Sequence, residues 1–132
     1  MFTEKETAYL KSQRLARIGT VSADSQPDVS PVGYEFDGEY FYIGGMNNKA
    51  TRKYKNVAGG NSRVALVIDD LKSIDPWSPR GIRVFGTADI VNYEGYAGSG
   101  SYLRIRPTVT WSWNVEGSSF QDGKFSPHKT QW

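Results

Sequence analysis

A period of two in the apolar residues constrains the fold of this chain more than any other feature. From Leu15 onward, apolar positions fall on every second residue over long stretches, as in half-buried strands. The Asp37-Gly38 pair lies between two such stretches and predicts a type I′ hairpin, in which residues 39–45 pair back onto a strand at 28–36. Pro31 lies inside that strand and predicts an edge or a bulge, because proline has no N–H to donate to a neighbouring strand.

Three further strands follow the hairpin. A buried strand at 64–68 should end at Asp69-Asp70, and long strands are expected at 80–92 and 102–113, separated by a loop or single turn at 94–100. With the strand that begins at Leu15, the total is six. Their hairpin-rich order predicts a mainly β, closed or nearly closed antiparallel barrel.

Two or three short helices complete the prediction. Thr3 and Glu6 have the spacing of a capping box, which predicts a helix that continues to Gln13. A second short helix should start at a cap formed by Asn47 or Asn48, run to about Val57, and end at Gly59-Gly60.

The chain shows no internal repeat and no domain boundary. Residues 1–116 form one predicted domain that binds a cofactor, and residues 117–132 form a polar tail that is either disordered or a lid. His128 lies in this tail and is expected to be solvated. No apolar run approaches the roughly 18 residues of a membrane span, and the N-terminus lacks an apolar signal region, so we expect a soluble, cytoplasmic protein with no membrane partner.

Composition excludes several kinds of chemistry. The chain has 16 Lys and Arg against 14 Asp and Glu, a net charge of +2, which argues against a dedicated nucleic-acid binder. It has no cysteine and one histidine, so a Cys nucleophile, a Cys-ligated metal, a Ser-His-Asp triad and a two-His metal site are not expected. Asp69-Asp70 has no evident metal-binding partners. If the protein is an enzyme, a bound cofactor carries the chemistry.

The most informative cluster is basic. Lys49, Arg52 and Lys53 have the spacing i, i+3, i+4, which places them on one face of the predicted helix. They lie in its first turns, where the helix dipole disfavours cations. A bound anion would resolve this conflict. The alternative is a solvated basic face.

Other candidate contacts lie on the predicted strands. Arg80 at the start of a long strand can reach a phosphate or a ring carbonyl, and Trp77 either stacks on a planar ligand or covers a barrel end. The segment 30–32 either aims backbone groups at a ligand edge or is an ordinary edge strand. Trp111 and Trp113 share one face of the last strand, where they form a subunit interface, a cofactor wall or part of the core.

Together these residues resemble a known superfamily. The chain resembles the pyridoxamine 5′-phosphate oxidase-like superfamily in the order of its segments. These are the first helix, Arg17-Ile18-Gly19-Thr20-Val21, Pro27 to Pro31, the hairpin, Ile43-Gly44-Gly45, the basic stretch 48–53, Arg63 to Asp70 and the segment 77–86. Within this superfamily, Thr-Arg-Lys-Tyr-Lys-Asn and Pro-Trp-Ser-Pro-Arg-Gly-Ile are most similar to the small reductases that depend on the deazaflavin coenzyme F420. The resemblance covers about residues 10–113.

The resemblance implies a six-stranded antiparallel split β-barrel of the FMN-binding type that forms a homodimer, with two cofactor sites at the interface. It implies that Lys49, Arg52 and Lys53 hold the cofactor phosphate, and that residues 30–32 line the ring. Trp77 and Arg80 would close the site from the same chain or from the partner chain. The implied contacts are Ser30, Pro31, Val32, Ile43, Gly44, Asn48, Lys49, Thr51, Arg52, Lys53, Trp77 and Arg80.

The resemblance also implies a reaction. The cofactor, coenzyme F420 or alternatively FMN, would exchange a hydride with a small organic acceptor. Tyr34, Tyr42 or solvent would supply a proton. Two departures bear on the acceptor: the segment after Tyr93 is short and glycine-rich where relatives often have a helix, and the tail does not match the set of basic and His residues with which the oxidases bind pyridoxal phosphate. Pyridoxamine phosphate oxidation is therefore not expected.

Two functions of other classes stay open at this stage. One is a flavin-binding carrier or sensor without catalysis. The other is a barrel that binds single-stranded nucleic acid through the Trp, Tyr and Arg side chains interleaved at 102–113.

Overall fold

The computed structural model describes residues 1–132. The helices are α1 (Glu4–Ser12) and α2 (Arg52–Ala58), with a 3₁₀ turn at Asn48–Ala50. The strands are β1 (Leu15–Val21), β2 (Pro27–Gly33), β3 (Glu35–Phe36), β4 (Phe41–Ile43), β5 (Arg63–Ser73), β6 (Ser78–Gly95), β7 (Gly98–Trp113), β8 (Phe120–Gln121), β9 (Lys124–Phe125) and β10 (His128–Gln131). No helix is long and apolar enough to cross a membrane.

The main sheet is antiparallel and has the strand order β2-β1-β5-β6-β7-β4-β3, with β10 added to β7. Only Tyr34 separates β2 from β3, so the chain itself joins the two ends of this order. The sheet therefore curls into a split barrel. The predicted mainly β, antiparallel split barrel with short helices is confirmed.

The barrel interior is filled by the side chains of alternate residues, as the period of two predicted. The fully buried members from the four long strands are Ile18, Leu66, Ile68, Ile82, Val84, Leu103 and Ile105. Leu10 of α1 and Val57 of α2 join the same core. Odd-numbered residues of β1, β2 and β5 point outward, where they form the other face of the sheet.

Local signals at the first helix are confirmed. The Thr3 hydroxyl accepts a hydrogen bond from Glu6 N–H at 3.1 Å, and the Glu6 carboxylate accepts one from Thr3 N–H at 3.0 Å, which is a complete capping box. The helix ends at Ser12.

The hairpin exists, but its predicted turn type is wrong. Phe36 pairs with Phe41, and φ is positive at Gly38 (101°) but not at Asp37, as a type I′ Asp-Gly turn would need. Gly38 and Glu39 are the central residues instead. The Asp37 carboxylate accepts hydrogen bonds from the N–H groups of Glu39 (2.8 Å) and Tyr40 (2.7 Å), which holds Asp37 in the first position of the turn.

The second predicted helix is divided in two. Thr51 has extended backbone angles (φ −80°, ψ 154°), so the 3₁₀ turn ends there and α2 starts afresh. Thr51, not Asn47 or Asn48, caps α2, and its hydroxyl accepts from Tyr54 N–H. Asn48 is unavailable as a cap because its side chain donates to the carbonyl of Ser101 at 2.9 Å. The helix ends at Gly59, as predicted.

Strand β5 continues past its predicted end at Asp69-Asp70. Arg17 pairs with Asp69 at 2.9 Å and Arg80 pairs with Asp70 at 2.7 Å, so neighbouring strands neutralise both carboxylates within the sheet. Of the two alternatives predicted for 94–100, the single turn is present: Gly95 pairs with Gly98, which leaves a turn of two residues, and the rest of the segment belongs to β6 and β7.

The last residues form strands that polarity did not reveal. β8 and β9 make a small hairpin, and β10 pairs with β7 over Ser112 to Val109. His128 is exposed, as predicted, with 45% of its side chain accessible, but its Nδ1 also lies 3.2 Å from the buried Glu6 carboxylate. Trp132 packs edge-on against Phe2, with ring centroids 4.8 Å apart. The tail thus closes over the N-terminal segment.

Candidate functional site

The basic cluster surrounds the break between the 3₁₀ turn and α2. Lys49 is exposed on the turn, whereas Arg52 and Lys53 are the first two residues of α2. The extended Thr51 interrupts the helix, so the predicted shared helical face does not exist. The three cations still lie within five residues, and none has a carboxylate within ion-pair distance. Their positive charge is available to an anion.

Lys53 connects this cluster to β2. Burial lowers its pKa, and the nearby Asp28 carboxylate partly offsets that effect. The side chain is therefore in a partly dry environment that faces β2. The Asn56 amide donates to the Thr20 hydroxyl at 2.9 Å, which fixes α2 against β1. A negatively charged ligand beside Lys53 would favour its charged form.

The outer edge of β2 offers unpaired backbone groups. β2 is the first strand of the order, so only one of its edges is paired. Because Pro31 has no N–H, the backbone hydrogen bonds from β2 to β1 have to come from Ser30 and Val32. Val29, Pro31 and Gly33 then point their backbone groups to the open edge. The Gly33 carbonyl points away from β1, since it accepts a hydrogen bond from the Tyr96 hydroxyl at 2.8 Å.

Some predicted contacts can offer only backbone atoms. The side chains of Val32 and Ile43 belong to the core, with exposed fractions of 8% and 0%. Gly44 N–H already donates to the Tyr96 hydroxyl at 2.9 Å. A Cβ at Gly44 would lie 2.3 Å from the Tyr102 ring, so packing within this chain is enough to require glycine here. The prediction that these residues contact a cofactor stays a prediction.

Asn48 has a structural contact and one unsatisfied atom. Its Nδ2 donates to the carbonyls of Ser101 and Ile43, and it joins the 3₁₀ turn to β7 and β4. Its buried Oδ1 has no hydrogen-bond partner. The structure thus places Asn48 beneath the basic cluster.

Arg80 and Trp77 lie away from the basic cluster. Arg80 is held by two hydrogen bonds to Asp70, and its guanidinium lies 5.0 Å from the centre of the Tyr9 ring. On the same strand, Ala88 N–H bonds to Ser62, just after α2. Ala88 lies eight positions after Arg80, which corresponds to about 26 Å along an extended strand. One chain therefore does not bring Arg80 and Arg52 to the same small ligand.

The outward face of the sheet carries a groove that the sequence analysis missed. Its cavity volume is about 690 Å³, and residues of β1, β2, β5, β6 and β7 line it. Val29 is 71% exposed and Phe85 is 44% exposed on this face. The sequence feature that could have indicated this groove is the pair of small residues Gly19 and Ala65, which lie opposite each other on β1 and β5 and point outward. The groove reaches Asp28, next to the basic cluster.

The candidate proton donors are engaged in hydrogen bonds. Burial raises the pKa of the Tyr34 hydroxyl, which donates to the Leu10 carbonyl. Burial and the Asp37 carboxylate at 3.0 Å raise the pKa of Tyr42. Tyr96, which the sequence analysis did not consider, has a hydroxyl that bridges Gly33 and Gly44.

The aromatic side chains at 102–113 do not form a free stacking surface. The Arg83 guanidinium lies 4.2 Å from the centre of the Trp111 ring, and Trp113 packs against Gly81. Tyr102 is 2% exposed. The nucleic-acid alternative therefore lacks the exposed aromatic faces on which bases stack.

The sequence matches a known family over most of its length. A profile described as pyridoxamine 5′-phosphate oxidase matches residues 2–114. The fold and this match define an oxidoreductase of the flavin-binding split-barrel class. The chain belongs to the pyridoxamine 5′-phosphate oxidase family.

A curated relative and two solved structures are similar to the chain. The 5a,11a-dehydrotetracycline/5a,11a-dehydrooxytetracycline reductase of Streptomyces rimosus is 36% identical over 122 residues, covering 88% of this chain and 85% of that protein. A structure described as an F420 reductase has a TM-score of 0.64 at 20% identity, covering 83% of this chain and 98% of that one. An FAD-binding protein from Mesorhizobium loti has a TM-score of 0.61 at 18% identity, covering 80% and 87%. The two structures support the fold.

Proposed function

We propose that this protein is a reductase that uses coenzyme F420 to transfer a hydride to a small organic acceptor. The observation that carries the proposal is the cluster of Lys49, Arg52 and Lys53, which have no ion-pair partners and of which Lys53 lies near Asp28 of β2. The reductase from Streptomyces rimosus and the F420 reductase structure support it. FMN is the alternative cofactor, and the FAD-binding neighbour supports it.

The residues present fit such a cofactor. Arg52 and Lys49 supply positive charge for a phosphate or an acidic tail, and Lys53 supplies it closer to β2. The Val29 N–H and the carbonyls of Val29 and Pro31 match a ring edge that carries both donors and acceptors. α2 has only seven residues, so the cations contribute most of the attraction.

The bound cofactor supplies the hydride, and the protein orients it and excludes water. The rigid β1–β2 ladder holds the open edge in place, because β1 is itself paired on both sides. Lys53 is already partly desolvated, so its charge acts strongly on a nearby anion. This arrangement needs no protein nucleophile.

We also propose that the functional form is a homodimer. Arg80 lies about 26 Å along β6 from Ala88, the strand residue that bonds to the segment after α2, so Arg80 and nearby Trp77 would complete a cofactor site only in a partner subunit. The outward groove with exposed Val29 and Phe85 is the surface that a second copy would cover. Sedimentation equilibrium tests this, and a monomer at micromolar concentration would contradict it.

The cofactor experiment is a titration with F420 and, separately, with FMN, followed by tryptophan fluorescence. We expect Arg52→Ala and Lys49→Ala each to weaken F420 binding about tenfold, because each removes one charge-assisted contact. Lys55→Ala is the matched control, since Lys55 is an exposed cation in the last turn of the same helix. Tighter binding of FMN than of F420 would identify FMN as the cofactor. Equal effects of all three variants, or no binding of either cofactor, would refute the proposed site.

Turnover separates a reductase from a carrier. A protein that binds F420 and reduces none of a panel of unsaturated ring ketones would be a carrier or sensor. Oxidation of reduced F420, read as the return of its absorbance, would support the reductase.

A further inference from the structure

A second groove lies at the opposite end of β6 from α2. It runs between the β5–β6 turn and the β8–β9 hairpin, has a cavity volume of about 510 Å³, and lies within the size range of small-molecule sites. Its lining residues are all uncharged: Trp77, Ser78, Pro79, Asn114, Ser118 and Phe120. Two aromatic side chains thus face the groove together with hydroxyl and amide groups.

Asn114 builds this groove by holding its two walls together. Its Nδ2 donates to the Pro79 carbonyl at 2.6 Å, and its Oδ1 accepts from Ser119 N–H at 2.9 Å. Its own N–H donates to the Ser119 hydroxyl at 2.9 Å. Asn114 adopts a positive φ of 56°, a conformation that asparagine tolerates better than most residues. The groove is therefore formed before any ligand binds.

Both aromatic walls are exposed, and Phe120 is held by packing. Trp77 is 67% exposed, and Phe120 is 54% exposed. Phe120 packs on Phe125 with ring centroids 4.9 Å apart, and the hairpin is closed by a hydrogen bond from Ser126 N–H to the Ser119 carbonyl at 2.8 Å. Exposed aromatic faces beside polar groups are typical of a site that binds a flat apolar molecule.

The hairpin lies outside the part of the chain that the family profile matches. That match ends at residue 114, whereas β8 starts at Phe120. One wall of the groove, with Trp77, therefore belongs to the family segment, and the other belongs to the tail. A feature added to the shared barrel is suited to determine which acceptor binds.

We propose that this groove binds the ring system of the acceptor, a planar fused-ring molecule with hydroxyl and carbonyl substituents and no phosphate. The proposal rests on the reductase function and on the homodimer proposed above, in which the Trp77 end of one chain would lie beside the cofactor of its partner, because hydride transfer requires contact between acceptor and cofactor. Trp77 and Phe120 stack on the ring faces, while Ser118 and Ser78 bond to substituents at the edge. The lining offers no cation to a phosphate. The relative at 36% identity is named for tetracycline-type substrates, which fit this description.

The test is isothermal titration calorimetry of the full chain with oxytetracycline, in buffer with EDTA and without cofactor. We expect Phe120→Leu to weaken binding about tenfold, because it removes one stacking face, and Phe120→Tyr to retain it. Ile74→Ala is the control, since Ile74 is 74% exposed on the same turn as Trp77 but does not line the groove. An unchanged melting curve of Phe120→Leu shows that this variant still folds, and retained binding by Phe120→Tyr shows that the aromatic ring is the group required.

The outcomes separate this proposal from the cofactor proposal. Oxytetracycline binding that depends on Phe120 in a protein that binds neither F420 nor FMN would keep the groove as a fused-ring site and refute its role in the reductase. No binding by the unmodified protein, or equal binding by Phe120→Leu, would overturn the groove proposal whatever the cofactor result. Loss of dimerisation in Phe120→Leu would overturn it as well, since the groove would then be an interface between copies.

Discussion

Removing the Glu6 carboxylate should destabilise this protein more than any other single truncation of a charged side chain. The Glu6 side chain is 1% exposed and accepts three hydrogen bonds: from Thr3 N–H at 3.0 Å, from the Ser112 hydroxyl at 2.6 Å and from His128 Nδ1 at 3.2 Å. These bonds join α1, β7 and β10. Glu6→Ala would leave the buried Ser112 hydroxyl without its acceptor.

The magnitude follows from these contacts. Hydrogen bonds to a charged group contribute about 1.5–3 kcal/mol each, and a buried partner left unsatisfied costs about as much again. Thr3 N–H and His128 lie near the surface and recover part of their loss from water. We therefore expect Glu6→Ala to lower the free energy of unfolding by about 3–5 kcal/mol, out of a typical total of about 5–15 kcal/mol.

The effect should depend on pH. Burial alone would raise the pKa of Glu6, but the hydrogen bonds from Ser112, Thr3 and His128 outweigh it and hold the pKa below its ordinary value of 4.5. A carboxyl group with a lowered pKa in the folded state stabilises the fold above its ordinary pKa, and this contribution is lost as the pH falls through the folded value. The difference between Glu6→Ala and the unmodified protein should therefore be full at pH 7 and shrink below about pH 4.

Urea unfolding of both proteins at a series of pH values measures this difference. Glu4→Ala is the matched control, because Glu4 lies in the same first turn but is exposed, and it should cost no more than about 1 kcal/mol. A cost for Glu6→Ala below about 1 kcal/mol at pH 7, or one that grows as the pH falls, would refute the reasoning.

Three further predictions concern packing, capping and charge. Gly44→Ala should lower the melting temperature, since its Cβ would lie 2.3 Å from the Tyr102 ring, whereas Gly100→Ala has open space and should not. Thr51→Ala should cost about 1 kcal/mol in urea unfolding by removing the cap of α2, and an unchanged midpoint would show that the cap is dispensable. Asp70→Asn should lower the free energy of unfolding by less than about 1 kcal/mol, because the ion pair of Asp70 with Arg80 is partly exposed. Arg80 lowers the pKa of Asp70, so the stabilisation by this ion pair is lost as the pH falls. A cost of Asp70→Asn that persists at pH 2 would contradict this prediction.

The sequence predicted the strands and the first helix well because their signals are local. Alternation in β1 and the long segments around Leu66 and Val84 identifies residues that share a face, whatever the rest of the chain does. The capping box of Thr3 and Glu6 needs only four consecutive residues. Local sequence signals gave a wrong prediction where the side chain bonds to a residue distant in sequence. Asn48 resembles a helix cap but bonds to Ser101, and Asp69 resembles the end of a strand but pairs with Arg17.

The sequence by itself determined the period of the strands, the position of the basic cluster and, through family resemblance, the class of the barrel. Only the tertiary structure decided which of these residues meet. It placed Arg80 at the end of β6 that lies away from α2 and Arg52, and it placed Phe120 of the polar tail in the same groove as Trp77. The physical reason is that periodicity and capping depend on neighbours within a few residues, whereas a binding site depends on contacts between strands that are distant in sequence. Such contacts follow from register and packing, which no single segment specifies.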